Sequence, residues 1–99
     1  MGGFSQGAAM ALNLGWDIGG IVAMSGFLFE ETKVGQGKCS VLLVHGRNDQ
    51  QIDLQHALLS YQRILDREGV DHRWISDMGH EINDEAIEVL RLFINKHMG

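Results

Sequence analysis

The stretch that most constrains the fold of this 99-residue chain lies at its start, where a serine stands close to two glycines. Residues 3–7 read Gly-Phe-Ser-Gln-Gly and lead directly into an alanine-rich helical segment, Ala8 to Leu14. A G-x-S-x-G pattern before a helix is typical of a tight, strained turn between a strand and a helix, in which a Cβ at either glycine is expected to collide across the turn. A glycine-rich chain can also contain this pentapeptide by chance, or as a flexible turn, so its context decides.

Apolar runs alternate with helical patterns along the remaining sequence. Ile18–Met24 and Val41–Val44 have the length and composition of strands buried on both faces, and Asp71–Ser76 is a shorter candidate strand. Asp53–Glu68 and a last segment capped by Asn83 have the spacing of amphipathic helices. Buried strands that alternate with helices predict an α/β fold, with a parallel sheet of about three strands and flanking helices.

The composition restricts the classes of function. A net charge of −5 argues against nucleic acid or an anionic membrane surface as the main partner. No apolar run approaches the ~20 residues of an integral membrane segment, and no secretory signal is visible. The single cysteine, Cys39, excludes an internal disulfide framework and fits a reducing compartment. These features predict one domain over residues 1–99 and a cytoplasmic location.

Three polar side chains lie in loops that are expected to open on one edge of the predicted sheet. Ser5 stands at the start of a helix, Asp49 in the loop after Val41–Val44, and His80 in the loop after the next strand. Since the carboxyl ends of parallel strands meet at one edge, we expect these side chains to lie close together. The order Ser, Asp, His is that of one class of catalytic triad, in which Ser5 attacks a carbonyl carbon, His80 transfers the proton and Asp49 orients the imidazole. A solvated turn aspartate and a surface histidine are the plain alternatives.

Other candidate residues have simpler explanations. His45 ends a buried strand and is expected to serve packing, as is Cys39 at the start of the same strand. Asp53 is a rival for the acid, but its position favours capping of a helix. His45, Asp49 and His80 show no ligand pair with helical or hairpin spacing, so we predict no metal.

Four segments in the same order resemble the phospholipase/carboxylesterase family, which includes the acyl-protein thioesterases. They read GFSQGAAMA at 3–11, GIVAMSG at 20–26, VLLVHGRND at 41–49 and MGHEI at 78–82. The resemblance implies a cofactor-free serine hydrolase of the α/β-hydrolase fold that acts on carboxylic esters or acyl thioesters, hence on a small-molecule or acylated substrate. By position, Ser5, Asp49 and His80 match the family's nucleophile, acid and base. The backbone N–H of Gln6 matches one donor of the oxyanion hole.

The resemblance also implies that the chain is the C-terminal part of a single α/β-hydrolase domain, without the N-terminal strands and the second oxyanion donor. Met1-Gly2 is expected to be too short for the strand that enters the serine turn. Ala8 and Ile52-Asp53 depart from the family's usual glycine and Val-Pro. The alternative function is therefore a non-catalytic fragment that acts as an interaction module or needs an N-terminal half.

Two further predictions concern what the chain binds. An uncovered sheet edge predicts self-association. Phe27 and Leu28 are expected to line the substrate's acyl site, with core or lid packing at least as good an explanation for both.

Overall fold

The computed structural model describes residues 1–17, 20–34 and 39–97, which form one parallel sheet with helices on both faces. The strands lie side by side in chain order, β1-β2-β3-β4, and each neighbouring pair is parallel. The elements in chain order are β1 (Gly2–Phe4), α1 (Gln6–Leu14), a 3-10 turn (Gly15–Asp17), β2 (Gly20–Met24), β3 (Ser40–Gly46), α2 (Leu54–Tyr61), β4 (Val70–Ile75) and α3 (Asp84–His97).

Strand β3 is buried on both faces, as its uninterrupted apolar run predicted. Val41 and Leu43 pack into a core cluster with α1 and α2, whereas Leu42 and Val44 pack into a second cluster with α3. Successive side chains of a strand point to opposite faces, so a strand covered by helices on both sides has to be apolar throughout. The predicted α/β class with a partial parallel sheet is confirmed.

The sheet has four strands rather than about three, because the chain begins with a short strand. The expectation that Met1-Gly2 is too short for this strand was wrong: Gly2–Phe4 pairs with β2, with Gly2 opposite Val22. Met1 extends the pairing, since its amine donates to the Gly20 carbonyl at 2.7 Å. Two of the three residues of β1 are glycines, so the pairing with β2, rather than intrinsic propensity, makes this segment a strand.

Helix α2 ends at Tyr61, seven residues before the predicted end at Glu68. The chain then tightens: the N–H of Ile64 donates to the Tyr61 carbonyl at 2.9 Å, and that of Arg67 to the Ile64 carbonyl at 3.0 Å. These three-residue steps place Ile64 fully inside the core beside Tyr61. After Tyr61 the chain therefore forms tight turns that bury Ile64, instead of the regular helix that the apolar spacing predicted.

The remaining predicted elements differ from the observed ones only at their ends. Of the predicted strand Ile18–Met24, the part from Gly20 onward is β2, and Ile18 and Gly19 lie outside the described residues. Asp71–Ser76 corresponds to β4. Within residues 1–17, 20–34 and 39–97, every helix is too short or too polar to cross a lipid bilayer.

Candidate active site

Ser5 occupies a strained turn between β1 and α1. Its φ of 59° and ψ of −117° are rare for a residue other than glycine. Hydrogen bonds on both sides hold this conformation: the Ser5 N–H donates to the Met24 carbonyl at 2.8 Å, and its carbonyl accepts from Ala8 and Ala9 at 3.0 and 3.2 Å. The sheet and the helix together therefore keep the serine at the tip of the turn.

The two glycines of the pentapeptide differ in importance. A Cβ on Gly3 would stand 2.2 Å from the carbonyl carbon and oxygen of Gly7, so no side chain fits there. A Cβ on Gly7 would meet nothing within 4 Å, because Gly7 lies exposed in the first turn of α1. The expectation that both positions exclude a Cβ is thus correct for Gly3 and wrong for Gly7.

Asp49 lies buried in the loop after β3, with 4% of its surface exposed. Its Oδ1 accepts hydrogen bonds from the N–H groups of Gln51 and Ile52 at 2.9 and 2.8 Å, and its Oδ2 lies 2.8 Å from His80 Nδ1. Burial raises the pKa of this carboxyl, but the hydrogen bonds from Ile52, His80 and Gln51 outweigh it, so the pKa lies below its ordinary value of 3.8. The group is therefore a carboxylate at neutral pH.

His80 joins the other two side chains. Its Nδ1 faces the Asp49 carboxylate at 2.8 Å, and its Nε2 lies 2.9 Å from Ser5 Oγ. A carboxylate only accepts, so Nδ1–H is the donor toward Asp49, and in the neutral ring Nε2 is free to accept the serine proton. Oxygen, imidazole and carboxylate form one continuous chain of contacts.

Backbone contacts tie the loop that carries Asp49 to the loop that carries His80. The N–H of Asn48 donates to the Met78 carbonyl at 3.0 Å, and the Asn48 side chain donates to the Ser76 carbonyl at 3.0 Å. A Cβ on Gly46 would stand 2.1 Å from the Met78 oxygen, so the end of β3 touches the second loop directly. These contacts fix the distance between the carboxylate and the imidazole.

Sequence reasoning missed the aromatic neighbour of His80. The Phe4 ring lies 4.9 Å from the His80 ring, centre to centre, with an angle of 39° between their planes. Phe4 occupies an unspecified position of the G-x-S-x-G pattern, and nothing in a single sequence marks it as a contact of a residue 76 positions later. Asn48 was also missed, although it precedes Asp49 directly.

The remaining predicted residues lie around this centre. Gln6 is the first residue of α1, so its N–H has no acceptor within the helix and lies at the helix's positive end. Asp53, the rival acid, is the exposed N-cap residue of α2, and the two ring nitrogens of His80 contact Asp49 and Ser5 instead.

The two residues predicted to line a substrate site have different environments. Phe27 is half-buried and lines an open depression of about 520 Å³ together with Ile52 and His56, beside the loop that carries Asp49. Leu28 is buried in the core between the sheet and α1 and α2, and its N–H donates to Ser60 Oγ at 3.0 Å. Of the two side chains, Phe27 is thus the more accessible to a ligand.

Further sequence predictions concern groups outside the Ser5–His80–Asp49 contacts. Among residues 1–17, 20–34 and 39–97, no three side chains of His, Cys, Asp or Glu are arranged to hold a metal ion. Cys39 is buried in the core in front of β3, as predicted. His45 is fully buried, and its Nε2 lies 2.6 Å from the Ile52 carbonyl oxygen.

The chain is similar to known esterases and acyl-protein thioesterases over nearly its whole length. A family model described as phospholipase/carboxylesterase matches residues 1–98. An acyl-protein thioesterase 1 homologue from Dictyostelium discoideum is 33% identical, with 97% of this chain and 47% of that protein covered. The crystal structure of esterase PE8 is 30% identical, with a TM-score of 0.77 and 98% and 49% of the two chains covered. Acyl-protein thioesterase 2 from Zea mays, 20% identical, has a TM-score of 0.82 over 99% of this chain and 55% of that one. The chain thus spans about half the length of these relatives.

Proposed function

Because the chain belongs to the phospholipase/carboxylesterase family, we propose that it is a serine hydrolase that cleaves carboxylic esters or acyl thioesters, with Ser5 as nucleophile, His80 as base and Asp49 as acid. The observation that carries the proposal is the continuous contact from Ser5 Oγ through the His80 ring to the Asp49 carboxylate, at 2.9 and 2.8 Å. The names of two relatives, a thioesterase and an esterase, agree with this reaction class.

In the proposed reaction, Ser5 Oγ attacks the carbonyl carbon of the substrate while His80 Nε2 takes the hydroxyl proton. The Asp49 carboxylate stabilises the imidazolium that forms. The negative charge on the former carbonyl oxygen is stabilised by the N–H of Gln6 at the start of α1. His80 then gives its proton to the departing alcohol or thiol, which leaves Ser5 acylated.

A water molecule completes the cycle. His80 takes a proton from the water as its oxygen attacks the acyl carbon, and returns that proton to Ser5 Oγ as the acid departs. One ester or thioester and one water thus become one carboxylic acid and one alcohol or thiol. Phe27 offers an apolar surface for the acyl chain in the depression beside the Asp49 loop.

A fluorophosphonate probe tests this assignment, because such probes react with activated serines. The 99-residue chain should be labelled on Ser5, and the Ser5→Ala and His80→Ala variants should not be labelled measurably. Ser76→Ala is the matched control, since Ser76 is exposed and lies outside the Ser5–His80–Asp49 contacts. Equal labelling of the wild type and Ser5→Ala would remove the assignment. The rates at which the chain hydrolyses a p-nitrophenyl ester and an acyl thioester then show whether an alcohol or a thiol is the preferred leaving group.

The second candidate function is a non-catalytic module that binds another polypeptide, or a half-domain that needs one. An apolar groove of about 440 Å³ runs beside β1, which pairs on one side only within the described residues. This chain covers 47% and 49% of two relatives, and loss of one oxyanion donor costs on the order of 10²–10³-fold in kcat. A folded chain that the probe leaves unlabelled favours this second function.

A further inference from the structure

The proposed reaction gives no role to His45, although its ring is the nearest imidazole to Asp49 besides that of His80. His45 is the second-to-last residue of β3 and has no exposed surface. Its Nε2 lies 2.6 Å from the carbonyl oxygen of Ile52 and 3.5 Å from Asp49 Oδ2, the oxygen that also accepts from His80. A buried polar ring in contact with the carboxylate's own loop is a candidate for a supporting role.

The contact with Ile52 determines which ring nitrogen carries the proton. A carbonyl oxygen only accepts, so the proton lies on Nε2, which donates to Ile52; the same nitrogen lies 3.5 Å from Asp49 Oδ2. In the neutral ring Nδ1 is then an acceptor, and it has no hydrogen-bond partner among the described residues. An apolar side chain would fill the same space without leaving a buried acceptor unpaired, so packing alone explains an imidazole here poorly.

Ile52 is the residue through which His45 acts on the carboxylate. The Ile52 N–H donates to Asp49 Oδ1 at 2.8 Å, while the Ile52 carbonyl accepts from His45. Ile52 is therefore held from both sides: His45 at the end of β3 binds its carbonyl, and the Asp49 carboxylate binds its N–H. Rotation of the Asp49 side chain would break its bonds to Ile52 and Gln51, and movement of Ile52 would break its bond to His45.

We propose that His45 is a positioning residue: by holding the Ile52 carbonyl, it keeps the Asp49 carboxylate turned so that Oδ2 faces His80 Nδ1. The effect of His45 on kcat rests on the proposed hydrolase function, whereas its effect on the orientation of Asp49 does not. Among the described residues, the polar contacts of the His45 ring run to Ile52 and Asp49, so we expect it to act on the reaction through the orientation of Asp49.

Two variants separate this role from packing. In His45→Gln the side-chain amide can still donate to the Ile52 carbonyl, whereas His45→Leu fills the volume without a donor. For ester hydrolysis we expect kcat to fall on the order of 10²-fold in His45→Leu, the scale of an ångström-sized misplacement, and only a few-fold in His45→Gln, with KM unchanged in both. A packing role predicts the reverse order, with the leucine variant at least as active as the glutamine variant.

Nuclear magnetic resonance gives two readouts that need no turnover, and the first of them needs no variant. In the wild type, the ring nitrogens of His45 should show the proton on Nε2; a proton on Nδ1 would overturn the proposal. The proton between His80 Nδ1 and Asp49 should give a low-field signal that persists in His45→Gln and broadens away in His45→Leu.

The combined outcomes separate the two proposals. A wild type with turnover, in which His45→Leu changes neither kcat nor the low-field signal, overturns the role of His45 and leaves the hydrolase assignment standing. A wild type without labelling or turnover, whose low-field signal still depends on His45, overturns the hydrolase assignment and leaves the role of His45 standing.

Discussion

We expect Asp49 to orient the His80 ring and to supply the negative charge beside it. In Asp49→Asn the carboxylate becomes an amide, which can present an N–H to His80 and stabilise the wrong arrangement of ring protons. We expect kcat for ester hydrolysis to fall on the order of 10⁴-fold, as in triads of this type. Steady-state kinetics measures the loss, and a variant within a few-fold of the wild type would contradict the role of Asp49.

The same carboxylate makes stability depend on pH. Its pKa lies below the ordinary value of 3.8 in the folded chain, so the unfolded chain binds the proton more readily. The stabilisation is therefore fully present above about pH 4, near the unfolded pKa, and is lost as the pH falls through the folded pKa. Urea unfolding at pH 6 and pH 3 should show that the stability gap between the wild type and Asp49→Asn narrows in acid. A gap that widens in acid would contradict this assignment of the pKa shift.

The glycines of the serine turn give a paired prediction. Gly3→Ala should disrupt the turn, because its Cβ would overlap the Gly7 carbonyl, and labelling of Ser5 should be lost. Gly7→Ala should leave the fold intact and stabilise it by about 0.5–1 kcal/mol, since alanine is favoured over glycine in a helix with open space around it. Thermal unfolding of the two variants measures the difference, and equal destabilisation of both would show that the turn tolerates neither.

At the scale of single residues, the sequence predicts which residues approach each other, but not every contact between them. Asp49 and His80 could be placed at one edge because each follows a predicted strand of a parallel sheet, and Ser5 because its pentapeptide precedes a helix in the pattern of a strand-to-helix turn. The contact of Phe4 with His80 and that of His45 with Ile52 depend on side-chain directions, and no spacing along the chain reveals them.

At the scale of elements, periodicity predicted the buried strands and the helices, and tertiary contacts decided their ends. β1 exists because β2 offers a pairing edge to a segment of poor strand propensity. Helix α2 ends early because the chain tightens to bury Ile64. In both cases a local pattern was outweighed by interactions with residues that are distant in sequence.

The starts of α2 and α3 provide a matched comparison of helix caps. Asn83 Oδ1 accepts from the N–H of Ala86 at 2.9 Å, whereas Asp53, in the corresponding position of α2, makes no capping hydrogen bond with its side chain. We expect Asn83→Ala to lower the free energy of unfolding by about 1 kcal/mol and Asp53→Ala by clearly less. Chemical denaturation measures both values. A larger loss in Asp53→Ala would mean that its backbone position, rather than a side-chain bond, controls α2.

At the scale of the whole molecule, the apolar groove beside β1 predicts self-association with a second copy of the chain. Its lining includes Met1 and Ile94, which are 45% and 39% exposed, and within residues 1–17, 20–34 and 39–97 no strand pairs with the outer edge of β1 next to it. Sedimentation should show a concentration-dependent dimer that Ile94→Lys weakens. Leu59→Lys is the control, because Leu59 is 65% exposed on α2 and does not line the groove. A chain that stays monomeric at all concentrations contradicts the prediction.

The wide sequence separation of the three candidate residues affects the order of events during folding. Ser5 and His80 are 75 positions apart, and Asp49 and His80 are 31 apart, so no local segment can assemble the three. Contacts between distant parts of a chain tend to form slowly, whereas helices form within microseconds. During refolding from urea, reactivity of Ser5 toward the probe should therefore lag behind the recovery of the helical circular-dichroism signal. The rate of serine labelling would then report when the last strand and its loop have docked.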